Sequence, residues 1–378
     1  MRIAYIINSL EGGGAATGLR PVVSFLRDAG HSVTIFALTP RDRRAESWFI
    51  AEGFEVRTRE GGEKDHRAAF TWLSQEVADL DPTHIWTSLT RATLLGQLVG
   101  QRHRIPVVSW QHNAWLKWDN RILLRLMRRL SCHWIADSAF VADLTRQRLD
   151  LSDERVSSWP IFSASPETAQ ARPWCRGETI RIGSLGRLHT AKGYDILCAA
   201  LRLLPQEGLP DFKISIGGKG KEEANLQSGI SEANLNCIRL EGFVGNTQAF
   251  LAGQHLYIQP SRREGFCIAA HEAMQAGLGV IASSVGELSH SVKNNVTGWQ
   301  VPPENPQALA DVLVTALRNP ERLEAIGTAA RAHVLKMFGP ARFHAAGQRV
   351  MDSIPGAVAD SRKSIIENVL VSPLPDAA

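Results

Sequence analysis

The chain lacks most of what would mark it as secreted, metal-built or membrane-spanning. Its five cysteines, Cys132, Cys175, Cys198, Cys237 and Cys267, form no Cys-x-x-Cys pair among 378 residues. An odd, scattered set provides neither a disulfide framework nor a structural zinc site, so a reducing compartment fits. Nowhere does an apolar run reach the ~20 residues that a spanning helix needs, and the first residues lead into a strand pattern instead of a signal peptide. The expectation is a cytoplasmic protein, neither exported nor membrane-spanning. Charge of one sign is also lacking: 42 Lys and Arg face 38 Asp and Glu, a net +4. Nucleic-acid binding would call for a concentrated patch or a recognisable module, so none is expected. What remains is globular material long enough for two domains at ~150 residues each.

What is present alternates. Residues 3–8 read as a buried strand, Glu11-Gly-Gly-Gly-Ala-Ala-Thr-Gly18 as a loop, 19–29 as a helix and 32–38 as the next strand. Such units make right-handed parallel crossovers with the ligand crevice at the carboxyl ends of the strands, which puts Gly12, Gly13 and Gly14 at the mouth of a sheet. Their spacing is neither Gly-x-Gly-x-x-Gly nor a P-loop, so a tight turn and a phosphate contact both stay open. The pattern continues with strands at 54–58, 83–88, 106–111 and 134–138 and helices at 67–80, 92–102 and 140–148. His112 ends a strand on the crevice side, as a structural hydrogen-bonder or a ligand contact. Asp79-Leu-Asp81 lies at the opposite end, before a strand, and reads as a solvated loop instead of a metal site. Arg121, Arg125, Arg128 and Arg129 share one helical face, with Ile122, Leu123, Leu126, Met127 and Leu130 over the remainder and tryptophans just upstream. That is either a surface helix on a sheet or a basic amphipathic helix suited to an anionic membrane surface.

Periodicity lapses over 157–179, a stretch rich in Pro and Ser that reads as the interdomain linker. A second α/β unit follows. Its strands are expected at 179–185, 213–217, 236–240, 256–259 and 280–283, with helices at 194–204, 248–252, 268–276, 308–316, 320–334 and 341–352. In the loop Gly186-Arg187-Leu-His-Thr-Ala-Lys192-Gly193, two cations bracket a helix N-terminus, an arrangement that calls for an anion such as phosphate. The stretch 260–283 holds two carboxylates, Glu264 just before a Gly-Phe turn and Glu272 inside a helix of small residues. If the turn at Gly265 opens that helix, its free N–H groups make an anion site with a carboxylate on either side. Alone, the stretch also reads as an ordinary surface helix; Arg187 and Lys192, following a different strand of the same sheet, supply the counterpart.

These residues resemble the retaining glycosyltransferases of family four, which have the GT-B fold. The likeness covers roughly residues 3–352 and is most specific in Gly186-Arg187…Lys192-Gly193, in Gly218-Lys-Gly220, and in Pro260-Ser…Glu264-Gly-Phe…Glu272-Ala, with seven residues between the glutamates. It implies an α/β fold of two Rossmann-like domains facing a central cleft: an acceptor-binding domain over 1–165 and a nucleotide-sugar domain over 166–340. A helix at 341–354 would cross back to the first domain, and 355–378 would be a loose tail. It further implies transfer of a hexose from a nucleoside-diphosphate sugar to an acceptor hydroxyl, with retention and without a metal. By this resemblance Glu272 takes the ribose hydroxyls, and Glu264 with the backbone of Gly265, Phe266 and Cys267, ahead of Ile268, holds the sugar. Arg187 and Lys192 neutralise the leaving diphosphate beside Gly218, His112 contacts the sugar, and Gly13 and Gly14 close over the phosphates. The implied partners are a nucleotide sugar and a glycan or lipid-linked glycan acceptor, as in polysaccharide, lipopolysaccharide or glycolipid synthesis. The family usually has Gly at the Cys267 position, a glutamate at His290, and Gly-Gly-x-Glu where this chain reads Gly13-Gly14-Ala15-Ala16. A nucleotide-sugar epimerase of the same fold and a non-catalytic nucleotide- or glycan-binding protein are the rival readings.

Overall fold

Every position of the first strand after Arg2 is buried, as expected of a parallel strand covered on both faces. The computed structural model describes residues 1–112 and 115–356, which fall into two units, Met1–Ile161 with the chain from Phe343 onward, and Phe162–Arg342. Of the expected tail, 357–378 lie outside the described residues.

The first unit runs β1 (Arg2–Ile7), α1 (Gly14–Asp28), β2 (Ser32–Ala37), α2 (Glu46–Ala51), β3 (Glu55–Thr58), α3 (His66–Leu80), β4 (His84–Ser88), α4 (Thr90–His103), β5 (Val107–Gln111), α5 (Trp118–Met127), β6 (His133–Ala136), α6 (Ala139–Leu149) and β7 (Val156–Ser158). Its seven strands are ordered β3-β2-β1-β4-β5-β6-β7, and each adjacent pair is parallel. The order reverses between β1 and β4, where a doubly wound sheet opens its crevice. The lapse of periodicity expected from residue 157 begins inside β7, whose three residues, two of them serines, are too few to show a period.

The second unit runs β8 (Ile180–Leu185), α7 (Tyr194–Leu201), β9 (Phe212–Gly217), α8 (Glu223–Glu232), β10 (Ile238–Gly242), α9 (Thr247–Ala252), β11 (Leu256–Gln259), α10 (Ile268–Gln275), β12 (Gly279–Ser283), α11 (Leu288–Ser291), β13 (Gly298–Val301), α12 (Pro306–Arg318) and α13 (Leu323–Phe338); α14 (Pro340–Ser353) follows. The sheet order is β10-β9-β8-β11-β12-β13, again parallel, with its reversal between β8 and β11. Sequence periodicity misses α8, which buries only Leu226 and Ile230, and β13, four residues long with Trp299 and Val301 inward. Helix α10 opens at Ile268, not at Gly265, because Cys267 is its N-cap in a left-handed conformation.

From Phe343 the last helix packs within the first unit. Phe343 lies 5.4 Å from Trp159 and 6.4 Å from Phe25 between ring centroids, and Gly347 lets both rings come close.

Helix α5 stands the other way up from an ordinary amphipathic helix. Leu124 is its buried residue. About half a turn away lie Trp118, Ile122 and Leu126, spaced i, i+4, i+8 in one ridge, and they are 74%, 46% and 73% exposed. Arg121 and Arg125 flank that ridge and are exposed as well.

Candidate functional site

In the second unit, the loops after β8 and β11 leave the sheet at its reversal point, so the groups they carry meet at one carboxyl edge. Lys192 ends a short 3-10 turn, Thr190–Lys192, closed by Gly193 at φ +67°. A Cβ at Gly193 would collide with the carbonyl oxygen of Pro260, and one at Gly218 with that of Gly186. These two close approaches bring the loops after β8, β9 and β11 together.

Lys192 Nζ donates to Glu264 Oε1 at 2.7 Å, so two residues expected to act separately form one part-buried ion pair. Ser261 Oγ donates to the same oxygen at 2.6 Å, Gln259 Nε2 to Ser261 Oγ at 2.8 Å, and Tyr257 OH to Gln259 Oε1 at 2.9 Å. Burial pulls the Lys192 ammonium down, but the charge of Glu264 beside it more than offsets this, and the net direction is up. Arg262 fastens the assembly: it donates to Asp195 at 2.7 and 2.8 Å, to Glu304 at 2.9 Å and to the Thr190 carbonyl at 2.8 Å. Ser261 and Arg262 escape a reading of the sequence because their partners stand elsewhere in the chain. Their place between Pro260 and Glu264 is the one available signal.

Arg187 is exposed and makes no hydrogen bond or ion pair among the described residues. Glu272 is half-buried on α10, equally unpartnered there, and burial pushes its carboxyl up to about 7. One cation and one carboxyl are therefore available to a ligand on this edge. Cys267 is buried at φ +66°, a region that disfavours any side chain with a Cβ. Its carbonyl oxygen accepts from His271 Nδ1 at 3.0 Å, and Phe266 stacks on the same imidazole at 4.2 Å. Burial, with Glu264 nearby, pushes the Cys267 thiol well up. The main chain of this turn is fixed from the adjacent loop as well, where Glu287 N–H donates to the Gly265 carbonyl at 2.9 Å. Ile268 follows as the first residue of α10. A cavity of about 320 Å³ between α7 and α8 includes His189 and Thr190 of the β8 loop but none of Arg187, Lys192, Glu264 or Glu272.

In the first unit, α1 starts at Gly14 with Gly13 as an extended N-cap and no side-chain cap. A Cβ at Gly13 would meet nothing within 4 Å, so packing does not demand glycine there. His112 follows β5 and is joined to Asp137, Ser88 and Trp110. Asp137 is a site neighbour that the sequence does not signal, since it follows a different strand. Asp79 and Asp81 stand at the amino end of β4, and Asp81 pairs with Arg2 at 2.7 Å. Unit 1 thus holds His112, Gly13 and Gly14; unit 2 holds Arg187, Lys192, Gly218, Glu264, Gly265, Phe266, Cys267, Ile268 and Glu272.

A family model described as "Glycosyl transferases group 1" matches residues 170–333, and one described as "Glycosyltransferase Family 4" matches 12–161. The amylovoran biosynthesis glycosyltransferase AmsK of Erwinia amylovora is 32% identical over 170 residues, covering 43% of this chain and 42% of that protein. An uncharacterized glycosyltransferase of Haemophilus influenzae is 24% identical over 57% of this chain and 62% of its own length. The chain thus spans less than two thirds of these first curated relatives. Phosphatidyl-myo-inositol mannosyltransferase of Mycobacterium tuberculosis is 25% identical over 84% of this chain and 88% of that protein. Among solved structures, Anabaena HepE in complex with UDP and glucose superposes with a TM-score of 0.81 at 18% identity, over 94% of this chain and 100% of that one. The fold is GT-B.

Proposed function

The chain belongs to the group 1 glycosyltransferases, with a first half of the family 4 type, and from that membership we propose that it transfers a hexose from a nucleoside-diphosphate sugar to an acceptor hydroxyl with retention at the anomeric carbon. The observation that carries the reading is the edge of the second sheet, where the loops after β8 and β11 are joined by the Lys192–Glu264 pair while Arg187 and Glu272 have no partner among the described residues. Departure of a diphosphate develops negative charge, and Arg187, Lys192 and the first N–H groups of α10 stabilise it there. Glu272 accepts from the ribose hydroxyls. Glu264, held by Lys192 and Ser261, receives the sugar with the backbone of Gly265, Phe266 and Cys267, next to Gly218. His112 contacts the sugar, and the backbone of Gly13 and Gly14 contacts the phosphates.

Uridine diphosphate-glucose is the first donor to test, since the superposed HepE structures hold UDP, glucose and UDP-glucose. The named products and acceptors of the relatives support a cell-surface polysaccharide, lipopolysaccharide or glycolipid as the product class. A screen of nucleoside diphosphate release with and without acceptor decides the reaction. Transfer to an acceptor supports the proposal; epimerised donor without acceptor, or nucleotide binding with no turnover, would sink it.

The acceptor chemistry and α5 together support a peripheral position for the enzyme on the cytoplasmic face of an anionic membrane. Trp118, Ile122 and Leu126 enter the headgroup boundary while Arg121, Arg125 and Arg129 meet anionic lipid; Arg128, which the sequence places on the same face, lies in a 3-10 turn after α5 and is held on Asp150. Among the described residues no helix is long and apolar enough to cross a membrane. Trp118→Ser with Leu126→Ser is expected to lower flotation with anionic liposomes by about tenfold or more, since each loses apolar burial of about 1.5–3 kcal/mol, with little change in thermal midpoint. Flotation equal to the unmodified chain would discard this surface.

A further inference from the structure

We propose that Asp137 is a positioning residue that holds His112 as the Nδ1–H tautomer, so that Nε2 offers a lone pair which Ser88 occupies until a substrate hydroxyl replaces it. The inference rests on the transferase reading for its substrate, but its chemistry is set by a hydrogen-bond chain inside the first unit.

The chain can be oriented from its ends. Trp110 Nε1–H, which can only donate, gives its hydrogen to Asp137 Oδ1 at 2.6 Å. His112 Nδ1 lies 3.0 Å from that same oxygen and 3.3 Å from Oδ2. An unprotonated Nδ1 would turn its lone pair toward an oxygen that is already an acceptor, so Nδ1 carries the proton and donates. In the neutral ring Nε2 then accepts, and Ser88 Oγ, 2.9 Å away, donates to it. Ser88 Oγ in turn accepts from the Tyr5 hydroxyl at 2.6 Å. Burial raises the Tyr5 phenol's pKa well beyond its ordinary value, which keeps it a donor. Three hydrogens thus point one way, from Tyr5 through Ser88 and His112 to Asp137, and the Trp110 N–H meets them there.

With Nε2–H donating to Ser88, either Ser88 donates to Tyr5 and the Tyr5 hydrogen has no acceptor among the described residues, or Ser88 accepts from both neighbours and its own hydrogen has none. Tyr5 and Ser88 are each 1% exposed. An unmet buried donor costs about 1–3 kcal/mol, enough to select the first order. Asp137 has a side-chain exposure of 4% and His112 of 10%, so the carboxyl is sealed while an edge of the imidazole reaches solvent. Trp110 lies against the ring at 5.9 Å with 18° between planes and fixes its tilt. The groups around the imidazole therefore determine both its plane and which nitrogen is bare.

The consequence for substrate is specific. A bare Nε2 accepts and does not donate, so the hydroxyl that replaces Ser88 gives its hydrogen to His112. Ser88 keeps its acceptor contact with Tyr5 when its hydrogen leaves Nε2, and the oxygen of the incoming hydroxyl takes up that hydrogen. Asp137 acts through His112 and touches no substrate itself.

The test is 15N NMR of His112 in the full chain, with its signals identified by their loss in His112→Gln, together with kinetics of Asp137→Asn. In the native chain Nδ1 is expected to carry the proton. In Asp137→Asn the amide keeps an oxygen for Trp110 but turns an N–H toward Nδ1, which moves the ring proton to Nε2. The expected result is a fall in kcat of about 100-fold or more with donor KM within about threefold, as for other histidines forced into the wrong tautomer by Asp→Asn. Ser88→Ala is expected to leave the proton on Nδ1. A native His112 protonated on Nε2, or an Asp137→Asn enzyme with native kcat, overturns the proposal. If Asp137→Asn does not fold, the native spectrum alone decides. If the native chain transfers no sugar, the function reading fails while the tautomer result still stands or falls on the spectrum.

Discussion

The two sheets share one winding, with the reversal between the first and fourth strands of each, yet their carboxyl edges hold opposite chemistry. At the first edge, His112, Asp137, Ser88 and Tyr5 are paired with one another. At the second, Arg187 and Glu272 have no partner among the described residues, and Lys192 and Glu264 are held against each other. A satisfied polar edge orients a neutral group, whereas an edge with free charge is built to receive a charged one. The contrast breaks most severely at the cations. Arg187→Ala is expected to cut transfer by about 100- to 1,000-fold, in the range of a lost transition-state donor, with no change in thermal midpoint because the side chain is exposed. Lys192→Ala is expected to lose activity similarly and also to destabilise the fold, since it leaves Glu264 buried without its cation, a loss of about 3–5 kcal/mol. Adding Glu264→Gln should recover much of that stability and none of the activity. Near-native turnover in both single variants removes the diphosphate from this edge.

Glu272 sharpens the contrast through pH. Burial raises its folded pKa from the ordinary 4.5 to about 7, so between those values the folded chain keeps a proton that the unfolded chain has lost. The neutral form is favoured in the fold. Its contribution to stability is therefore greatest below about 4.5, declines as pH rises toward 7, and is absent above that. Glu272→Gln is expected to be more stable than the native chain at neutral pH, by a margin that grows across that window, as thermal midpoints taken at several pH values would record. Ribose hydroxyls favour the ionised carboxylate, so nucleoside diphosphate binding near pH 6.5 should release up to about one proton. Titration calorimetry in buffers of different ionisation enthalpy measures that release. The Gln variant should show none and bind about tenfold more weakly, the loss of a hydrogen bond to a charged group. Equal proton release by both chains assigns the titration elsewhere.

How far such features are legible in sequence depends on distance along the chain. Strand β1 is a continuous apolar run and reads directly, as do the glycine loop at 186–193 and the glutamate spacing from 264 to 272. Lys192 and Glu264 are 72 residues apart, and His112 and Asp137 are 25 apart. No periodicity connects such pairs, because they meet only when parallel strands bring their carboxyl ends together. Helix α5 fails for another reason. An amphipathic pattern says that two faces differ but not which one meets the sheet, and here Leu124, not the ridge of Trp118, Ile122 and Leu126, is the buried contact. Short elements such as β7 and β13 hold too few residues for a period to declare itself.

Cys267 offers the smallest test. The second edge places a left-handed residue, φ +66°, immediately before α10, whereas the corresponding N-cap on the first, Gly13, is extended at φ −98° and would accept a Cβ. The side chain at Cys267 is therefore held against backbone preference, at a cost of about 1–2 kcal/mol. Comparing Cys267→Gly with Cys267→Ala isolates that cost, because both remove the same thiol. Part of the gain is offset by the greater freedom of glycine in the unfolded chain, about 0.4–1 kcal/mol. The Gly variant should therefore exceed the Ala variant by about 0.5–1 kcal/mol in urea unfolding, the balance of those two terms. The same exchange at Gly13 should reverse the order: Gly13→Ala meets no neighbour and no positive φ, so it should match or slightly exceed the native glycine. A Cys267→Ala chain as stable as the Cys267→Gly chain would mean that the turn before α10 relaxes out of the left-handed region, and the two edges would then differ in charge but not in backbone strain.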